Sequence, residues 1–343
     1  MKIFFLGYPG QMGGANTECW HTAKVWRQQG IEVTFIPTWG CDQAMEVKMA
    51  AIGCRTIHVG APDKLADVPG FAGSIAVGMC NNNVMRIRKL LADLKVKLVW
   101  LNCMTFLFPE EVAAFKVAPA EAYVFQSEFQ KEELEKVLPA FGYLHCLGHV
   151  IRGAFDFDEL PFAPAPHAKN QDFWVGRIAR PDLDKWSSNH WNILARVPYA
   201  KRKALAMGWN PPLDRKCGRR PEWAETFAPQ QLPVKEFLGR CHAMLGLNGG
   251  ARENWPRIGL EAMAAGVPIV AQNHWGWKEM IADGVSGFLA NNDEEMVYRL
   301  AQLAYDEDLR QSIIKQARAA VHDMACPERI GRQWVELFRS LGA

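Results

Sequence analysis

Apolar residues come in short bursts along the first half of the chain, separated by stretches where they recur every three or four positions. The bursts "KIFFLG" (2–7), "IEVTFIP" (31–37), "CRTIHVG" (54–60), "SIAVGM" (74–79), "KLVWLNC" (97–103) and "AYVFQS" (122–127) predict strands. Between them, "ANTECWHTAKVWRQQG" (15–30), closed by Gly30, predicts a helix. So does "NVMRIRKLLADLKV" (83–96), apolar at Ile87, Leu90, Leu91 and Leu94, and so does "EFQKEELEKVL" after the last strand. Strands rich in β-branched and aromatic residues, with helices between them, predict a parallel sheet covered on both faces.

The pattern lapses at "FDFDELPFAPAPHAKN" (155–170), dense in Pro and Ala, and then restarts. "DFWVGR" predicts a strand, "WSSNHWNILARV" a helix and "RKALAMGW" a strand. A polar, Pro-rich excursion (210–233) leads to "EFLGRCH" and the strand "AMLGLNG". A helix bearing Glu261 follows, then the strand "VPIVAQ" (267–272), "WKEMIADGVSGFLA" and helical stretches over 293–322 and 327–341. The expected organisation is a first α/β domain over 1–155, a linker over 156–171 and a second α/β domain over 172–325. A final helical segment, 326–343, is expected to pack back on the first domain. Two doubly wound halves of similar size predict a cleft faced by the carboxyl ends of their strands, where such sheets bind ligands.

Composition narrows the classes. No apolar run approaches the roughly 18 residues that cross a bilayer. The run in "MKIFFLGYPG" is too short for a signal-peptide core and is expected to be a first buried strand. The nine cysteines are scattered, with no C-x-x-C pair, and predict reduced thiols and a cytoplasmic protein. The nine histidines form no H-x-x-x-H or H-E-x-x-H pair, so no metal is expected. A net charge of +2 announces no nucleic-acid binder. Thirteen tryptophans suit either sugar and base stacking or plain core packing.

Candidate chemistry gathers at the predicted strand ends. In "GYPGQMGGANTE", Gly13 and Gly14 precede a helix start at which Asn16 is placed to cap. Glycines there suit either close approach to a ligand or an ordinary tight turn. The spacing is not G-x-G-x-x-G, and "IPTWG" at the end of the second strand offers no acid for a ribose, so the dinucleotide fingerprint is absent. "VGRIARPDLDKW" puts Arg177 and Lys185 just past a strand, as a diphosphate clamp or as a solvated pair. In "ENWPRIGLEAMAAGVPIVA", Glu253 falls in a loop after an apolar strand, and Pro256 opens a helix that Gly266 ends. Glu261 projects from that helix about a turn and a half in. Two carboxylates so placed suit two sets of hydroxyls on either side of a diphosphate, with the helix N-terminus taking the phosphates.

These motifs resemble those of retaining glycosyltransferases with the GT-B fold, two Rossmann-like doubly wound domains facing a cleft, and in particular glycosyltransferase family 4. The likeness rests on the E-x7-E spacing, the "GGANTE" loop, the "GR…K" pair, "FQSEFQKEEL", "VIRGAFD" and "WGWKEMIADGVSGFLA", in order over most of the chain. It implies that Arg177 and Lys185 bind the donor diphosphate, that Glu253 contacts the transferred sugar and that Glu261 contacts the ribose. It also implies that Gly13 and Gly14 border the sugar and phosphates, and that Asn254, Trp255 and Arg257 line the donor site. The implied reaction moves a sugar from a nucleotide diphosphate, UDP or GDP, to an acceptor hydroxyl with retention, and needs neither cofactor nor metal. The acceptor is expected to be a glycan or lipid-linked glycan, or modified DNA. The chain departs from the family at Pro256, where Gly is frequent, with Arg257 expected to compensate for the lost amide. It departs again at Trp275-Gly276, where two glycines are frequent, and at Asn102, Met104 and Thr105, which stand where many relatives have a His.

Other signals in the sequence have ordinary structural readings. Asp156-Phe157-Asp158 and Asp182-Leu183-Asp184 match D-x-D but lack the strand-end setting of a metal motif and are expected to be solvated turns. The helix carrying Arg86, Arg88, Lys89, Lys95 and Lys97 suits a core stripe with a basic outer face better than a membrane contact. Lys201, Arg202, Lys203, Arg215, Lys216, Arg219 and Arg220 form the strongest basic run, either an acceptor or polyanion contact or a solvated excursion. The competing functions are a DNA glycosyltransferase acting on hydroxymethylated bases, a sugar-nucleotide epimerase, and a non-catalytic nucleotide-sugar or nucleic-acid binding module.

Overall fold

A computed structural model describes residues 1–7, 9–10, 13–37, 40–79 and 81–343. The chain divides into two compact units, Met1–Phe155 with Ala325–Ala343, and Asp156–Met324. The first unit contains β1 (Lys2–Leu6), α1 (Gly14–Gln28), β2 (Glu32–Ile36), α2 (Gln43–Ala51), β3 (Arg55–Thr56) and β4 (Ile75–Met79). It continues with α3 (Asn82–Arg86), α4 (Arg88–Asp93), β5 (Lys97–Leu101), α5 (Pro109–Val117), β6 (Ala122–Phe125), α6 (Glu128–Leu134) and β7 (Gly148–Val150). These strands form a parallel sheet in the order β3-β2-β1-β4-β5-β6-β7.

The second unit runs through β8 (Phe173–Ile178), α7 (His190–Arg196), β9 (Arg202–Met207), α8 (Pro211–Cys217), β10 (Ala224–Phe227) and α9 (Val234–Leu238). After these come β11 (Ala243–Gly246), α10 (Arg257–Ala265), β12 (Ile269–Gln272), α11 (Trp277–Met280), β13 (Phe288–Ala290), α12 (Asp293–Tyr305) and α13 (Glu307–Met324). Its parallel sheet has the order β10-β9-β8-β11-β12-β13. The strand order reverses between β8 and β11, the kind of switch point where doubly wound sheets take ligands.

Both faces of each sheet are apolar because strands alternate their side chains across two covered surfaces. In β1, Ile3 and Phe5 join one core with Trp26, while Phe4 and Leu6 join the other with Phe71 and Trp100. The chain's last helix, α14 (Pro327–Ser340), belongs to the first unit. Its Trp334 and Phe338 meet Trp26 of α1 edge-on, at centroid distances of 5.0 and 5.3 Å. Truncating such a buried aromatic costs about 3–5 kcal/mol.

The segment 156–171 is bound along its length to the second unit. Ala163 N donates to Ala265 O, Arg310 Nη2 donates to Ala165 O, and His242 Nε2 lies 3.1 Å from Pro166 O. The structure differs from the sequence expectation at several elements, and α2, α5 and β7 fall in stretches where none was expected. The helix expected over 83–96 breaks at Ile87, where the buried Arg88 turns to Ala118 O and Glu121 Oε1. The stretch 293–322 is two helices, because the Asp306 carboxylate accepts from Leu309 N and starts a new one. The excursion 210–233 hides α8 and the edge strand β10. Seven cysteines are free, but Cys103 is disulfide-bonded, against the expectation of reduced thiols throughout; Cys80 lies outside the described residues.

Asn102, just past β5, turns its amide to Phe106 O and to the buried Glu111 of α5, and its Oδ1 accepts from Met104 N. Glu111 also accepts from Trp100 Nε1 at 2.9 Å and Phe108 N at 2.8 Å. Burial outweighs these donors and pushes its carboxyl up to about 7. The native state then holds this proton more tightly than the unfolded chain does. Stability should therefore fall as pH rises from the ordinary carboxylate value of 4.5 through about 7, by on the order of 3 kcal/mol. Urea melts across that window should show the slope, and Glu111→Gln should flatten it.

Candidate functional site

The site in the second unit is built where β8 and β11 end side by side. Arg177, near the end of β8, is only 4% exposed. Its Nη1 donates to Leu245 O at 3.0 Å, and its Nη2 donates to Asn248 Oδ1 at 2.8 Å and to Lys185 O. The guanidinium lies over the Trp186 ring, 5.1 Å from its centroid. Burial lowers its pKa to about 10 while the Glu253 charge opposes the shift, so it stays a cation at neutral pH. Beneath Trp186 lies His190, held neutral by burial and then by the Arg177 charge. Arg177 is thus a fixed positive charge that pins the strand ends together.

Lys185 ends the turn Leu183–Lys185 after β8, and its Nζ donates to Glu253 Oε1 at 2.9 Å. Both side chains are 19% exposed, so the pair stands at the edge of solvent. Asn248 Nδ2 donates to the same oxygen at 3.0 Å and to Ala251 O at 3.0 Å. One amide therefore accepts from Arg177 and donates to Glu253, and its backbone N–H donates to Gln272 Oε1 at 3.0 Å. Asp184 O accepts from both Gly249 N and Ala251 N at 2.9 Å, tying the loop after β8 to the loop after β11. A Cβ on Gly249 would lie 2.0 Å from Trp186 O, so only glycine permits this approach.

Glu261 is half-buried on α10, whose N-cap is Pro256 and whose C-cap is the left-handed Gly266. Burial raises its carboxyl pKa, the Arg257 charge lowers it, and the Glu159 carboxylate raises it further. Arg257, Asn254 and Trp255 are buried around the same loop. Gly276 packs behind it: its N–H donates to Glu253 O at 2.9 Å, and a Cβ there would lie 1.6 Å from Asn254 O. Trp275 beside it has φ +55°, a left-handed conformation that a glycine would hold with less strain.

The structure thus brings Arg177, Lys185, Glu253, Asn254, Trp255, Arg257 and Glu261 into one region of the second unit. Asn248 and Gln272 were not singled out from the sequence, whereas Gly276 was named there only as part of a departure from the family pattern. An Asn-Gly-Gly run has the look of a turn, and only the fold reveals what the amide bridges. In the first unit, Gly13 has φ +98° and directly precedes α1, which Gly14 opens; positions 11 and 12 lie outside the described residues. Asn16 is not the cap expected, because it lies inside the first turn and its Oδ1 accepts from Gly10 N.

The basic run does not form one patch. Lys201, Arg202 and Lys203 lie at the amino end of β9, where Arg202 faces Trp223. Arg219 and Arg220 precede β10 at that same end, with Arg220 Nη1 on Ala224 O. Arg215 and Lys216 are in the last turn of α8, and Lys216 Nζ donates to Leu183 O beside Lys185. In the D-x-D stretches, Asp182 pairs with Arg180 at 3.1 Å, and the Asp158 side chain lies outside the described residues.

With this geometry in hand, the comparisons agree on a class. Residues 223–320 match the family described as Glycosyl transferases group 1, a stretch that contains Asn248, Glu253 and Glu261. Over 95 residues, 26% of this chain and 22% of that protein, the chain is 35% identical to D-inositol 3-phosphate glycosyltransferase of Corynebacterium urealyticum. Over 114 residues, 33% of this chain and 29% of that protein, it is 30% identical to N-acetyl-alpha-D-glucosaminyl L-malate synthase of Bacillus anthracis. The matched part spans less than a third of the length of either relative. The crystal structure of Anabaena HepE in complex with UDP-glucose covers 99% of this chain and 100% of its own, with a TM-score of 0.78 at 19% identity. That likeness is one of fold, and the fold is GT-B: two Rossmann-like α/β domains with parallel sheets.

Proposed function

We propose that the protein is a retaining glycosyltransferase of the family 4 type, transferring a sugar from a UDP- or GDP-sugar to a hydroxyl of a glycan or lipid-linked glycan. The observation that carries this is the Asn248 bridge, which sets a cation pair and a carboxylate side by side at the switch point of a doubly wound sheet. Lys185, at the solvent edge, takes the donor diphosphate, and Arg177 supports it from below with a desolvated charge. Once the diphosphate draws Lys185 away, Glu253 stays in place on Asn248 and accepts from the sugar hydroxyls. Glu261 accepts from the ribose, and the start of α10 with Arg257 faces the phosphates.

In the reaction, the anomeric carbon–oxygen bond to the diphosphate breaks as the acceptor oxygen bonds to the same face. The acceptor proton passes to the leaving phosphate oxygen. The protein's part is positioning and charge stabilisation. The match over residues 223–320 and the relatives that are glycosyltransferases support the reaction class. UDP is the first nucleotide to test because HepE was solved with UDP-glucose. The split of the basic run between two ends of the sheet removes the main sequence argument for a DNA acceptor. The epimerase and binding-only readings gain nothing from the comparisons. Among the described residues, no helix is long and apolar enough to cross a membrane.

A thermal-shift panel of UDP-, GDP-, ADP- and dTDP-sugars tests the donor. Ligand at a hundred times its Kd contributes about 2.7 kcal/mol, a rise of about 5 °C or more for a domain of this size. The expected result is a rise with one nucleotide class, lost in Glu261→Ala. A flat response across the panel would remove the donor assignment.

A further inference from the structure

At the carboxyl ends of β2 and β3, in the first unit, three side chains of different chemistry meet. Cys41 Sγ lies 3.5 Å from Glu46 Oε2, and His58 Nε2 lies 2.9 Å from Glu46 Oε1. The three ligand atoms fall within 4.8 Å of one another, and no other such group of His, Cys, Asp or Glu is found among the described residues. We propose that Cys41, Glu46 and His58 form a site for one zinc-class divalent cation, with water as the fourth ligand.

The distances suit that ion. Zinc bonds of about 2.0–2.3 Å in a tetrahedron place neighbouring ligand atoms roughly 3.3–3.7 Å apart. Cys41 Sγ stands at this distance from Glu46 Oε2, while His58 Nε2 faces the other oxygen, Oε1. A rotation of the carboxylate presents one oxygen to an ion, and the three ligand atoms, now within 4.8 Å of one another, close around it. The ligands come from fixed points. Asp42 caps α2 by accepting from Met45 N, and Glu46 N donates to Asp42 O, which sets Cys41 and Glu46 at the same turn. Ile57 N donates to Phe35 O, which fixes the backbone just before His58.

Thiolate, imidazole and carboxylate together select zinc over magnesium or calcium, which take all-oxygen sets. On binding, the Cys41 thiol gives its proton to solvent and His58 binds through a neutral ring. Half-buried Cys41 and Glu46 and exposed His58 leave the fourth position open to water. A search for closely spaced Cys and His pairs passes over this group. Its members are 5 and 12 residues apart, with a glutamate in the middle.

The test uses the full chain, stripped with chelator and titrated with Co²⁺ under argon without added thiol, so that the Cys103 disulfide stays closed. A thiolate-to-cobalt charge-transfer band should saturate at one equivalent and vanish when Zn²⁺ is added. Cys41→Ser should abolish the band, and His58→Ala and Glu46→Gln should each weaken binding at least tenfold. Cys146→Ser, at an exposed free thiol, should leave it intact. Zn²⁺ should also raise the melting temperature of the wild type and not of Cys41→Ser, whose metal-free melting temperature controls for folding. Absence of the band at stoichiometric cobalt, its survival in Cys41→Ser, or wild-type affinity in His58→Ala would overturn the site.

Discussion

Replacing Lys185 with methionine should lower nucleotide release from the donor by about 10²–10³-fold, mostly in kcat. Methionine keeps the length and apolar stem of lysine and removes only the charge. In the structure that charge sits 2.9 Å from Glu253 Oε1, at the solvent edge, with the buried Arg177 behind it. Arg177 cannot take its place without giving up Leu245 O, Lys185 O and Asn248 Oδ1, which hold the two strand ends. In the proposed reaction the leaving diphosphate gains charge in the transition state, and one removed partner of this kind typically costs about 3–4 kcal/mol. Lys185→Arg should recover part of the rate, because it restores the charge at a changed reach. The check is steady-state kinetics with the donor selected by thermal shift. Turnover of Lys185→Met within threefold of wild type would remove Lys185 from the reaction.

The parts of the fold that were legible in the sequence are those where one local signal dominates. β1, β2, β4 and β5 are continuous apolar runs inside a sheet covered on both faces, so their limits fall within a residue or two of the hydrophobic pattern. β10 escaped because it is an edge strand of mixed composition, "AETF", set among prolines, and its partner β9 rather than its own pattern makes it a strand. The break at Ile87 escaped because an unbroken apolar stripe continues across it, while the turn answers to what Arg88 reaches on a distant segment. The site divides in the same way. Glu253, Arg177 and Lys185 stand out as charges just past strands, and Glu261 as a carboxylate on the helix that follows. Asn248 is a neutral residue whose meaning lies in two partners 71 and 5 positions away. Spacing alone cannot show such a bridge.

Asn248 carries the second large prediction, because its amide does two opposite things at once. Its oxygen accepts from Arg177, and its nitrogen donates to Glu253 at 3.0 Å. Asn248→Asp keeps the acceptor and, when ionised, loses the donor and sets two carboxylates in contact. A buried hydrogen bond to a charged group is worth about 1.5–3 kcal/mol, so the rate at pH 8 should fall about 10²-fold. Like charges this close raise the pKa of one of the pair. As pH falls, the introduced carboxyl takes up a proton and can donate to Glu253 while still accepting from Arg177, as the amide did. The variant should therefore regain activity relative to wild type as pH is lowered, whereas Asn248→Ala should be impaired equally at every pH. A merely structural role for Asn248 predicts parallel pH profiles for both variants, and finding them parallel would refute the bridge.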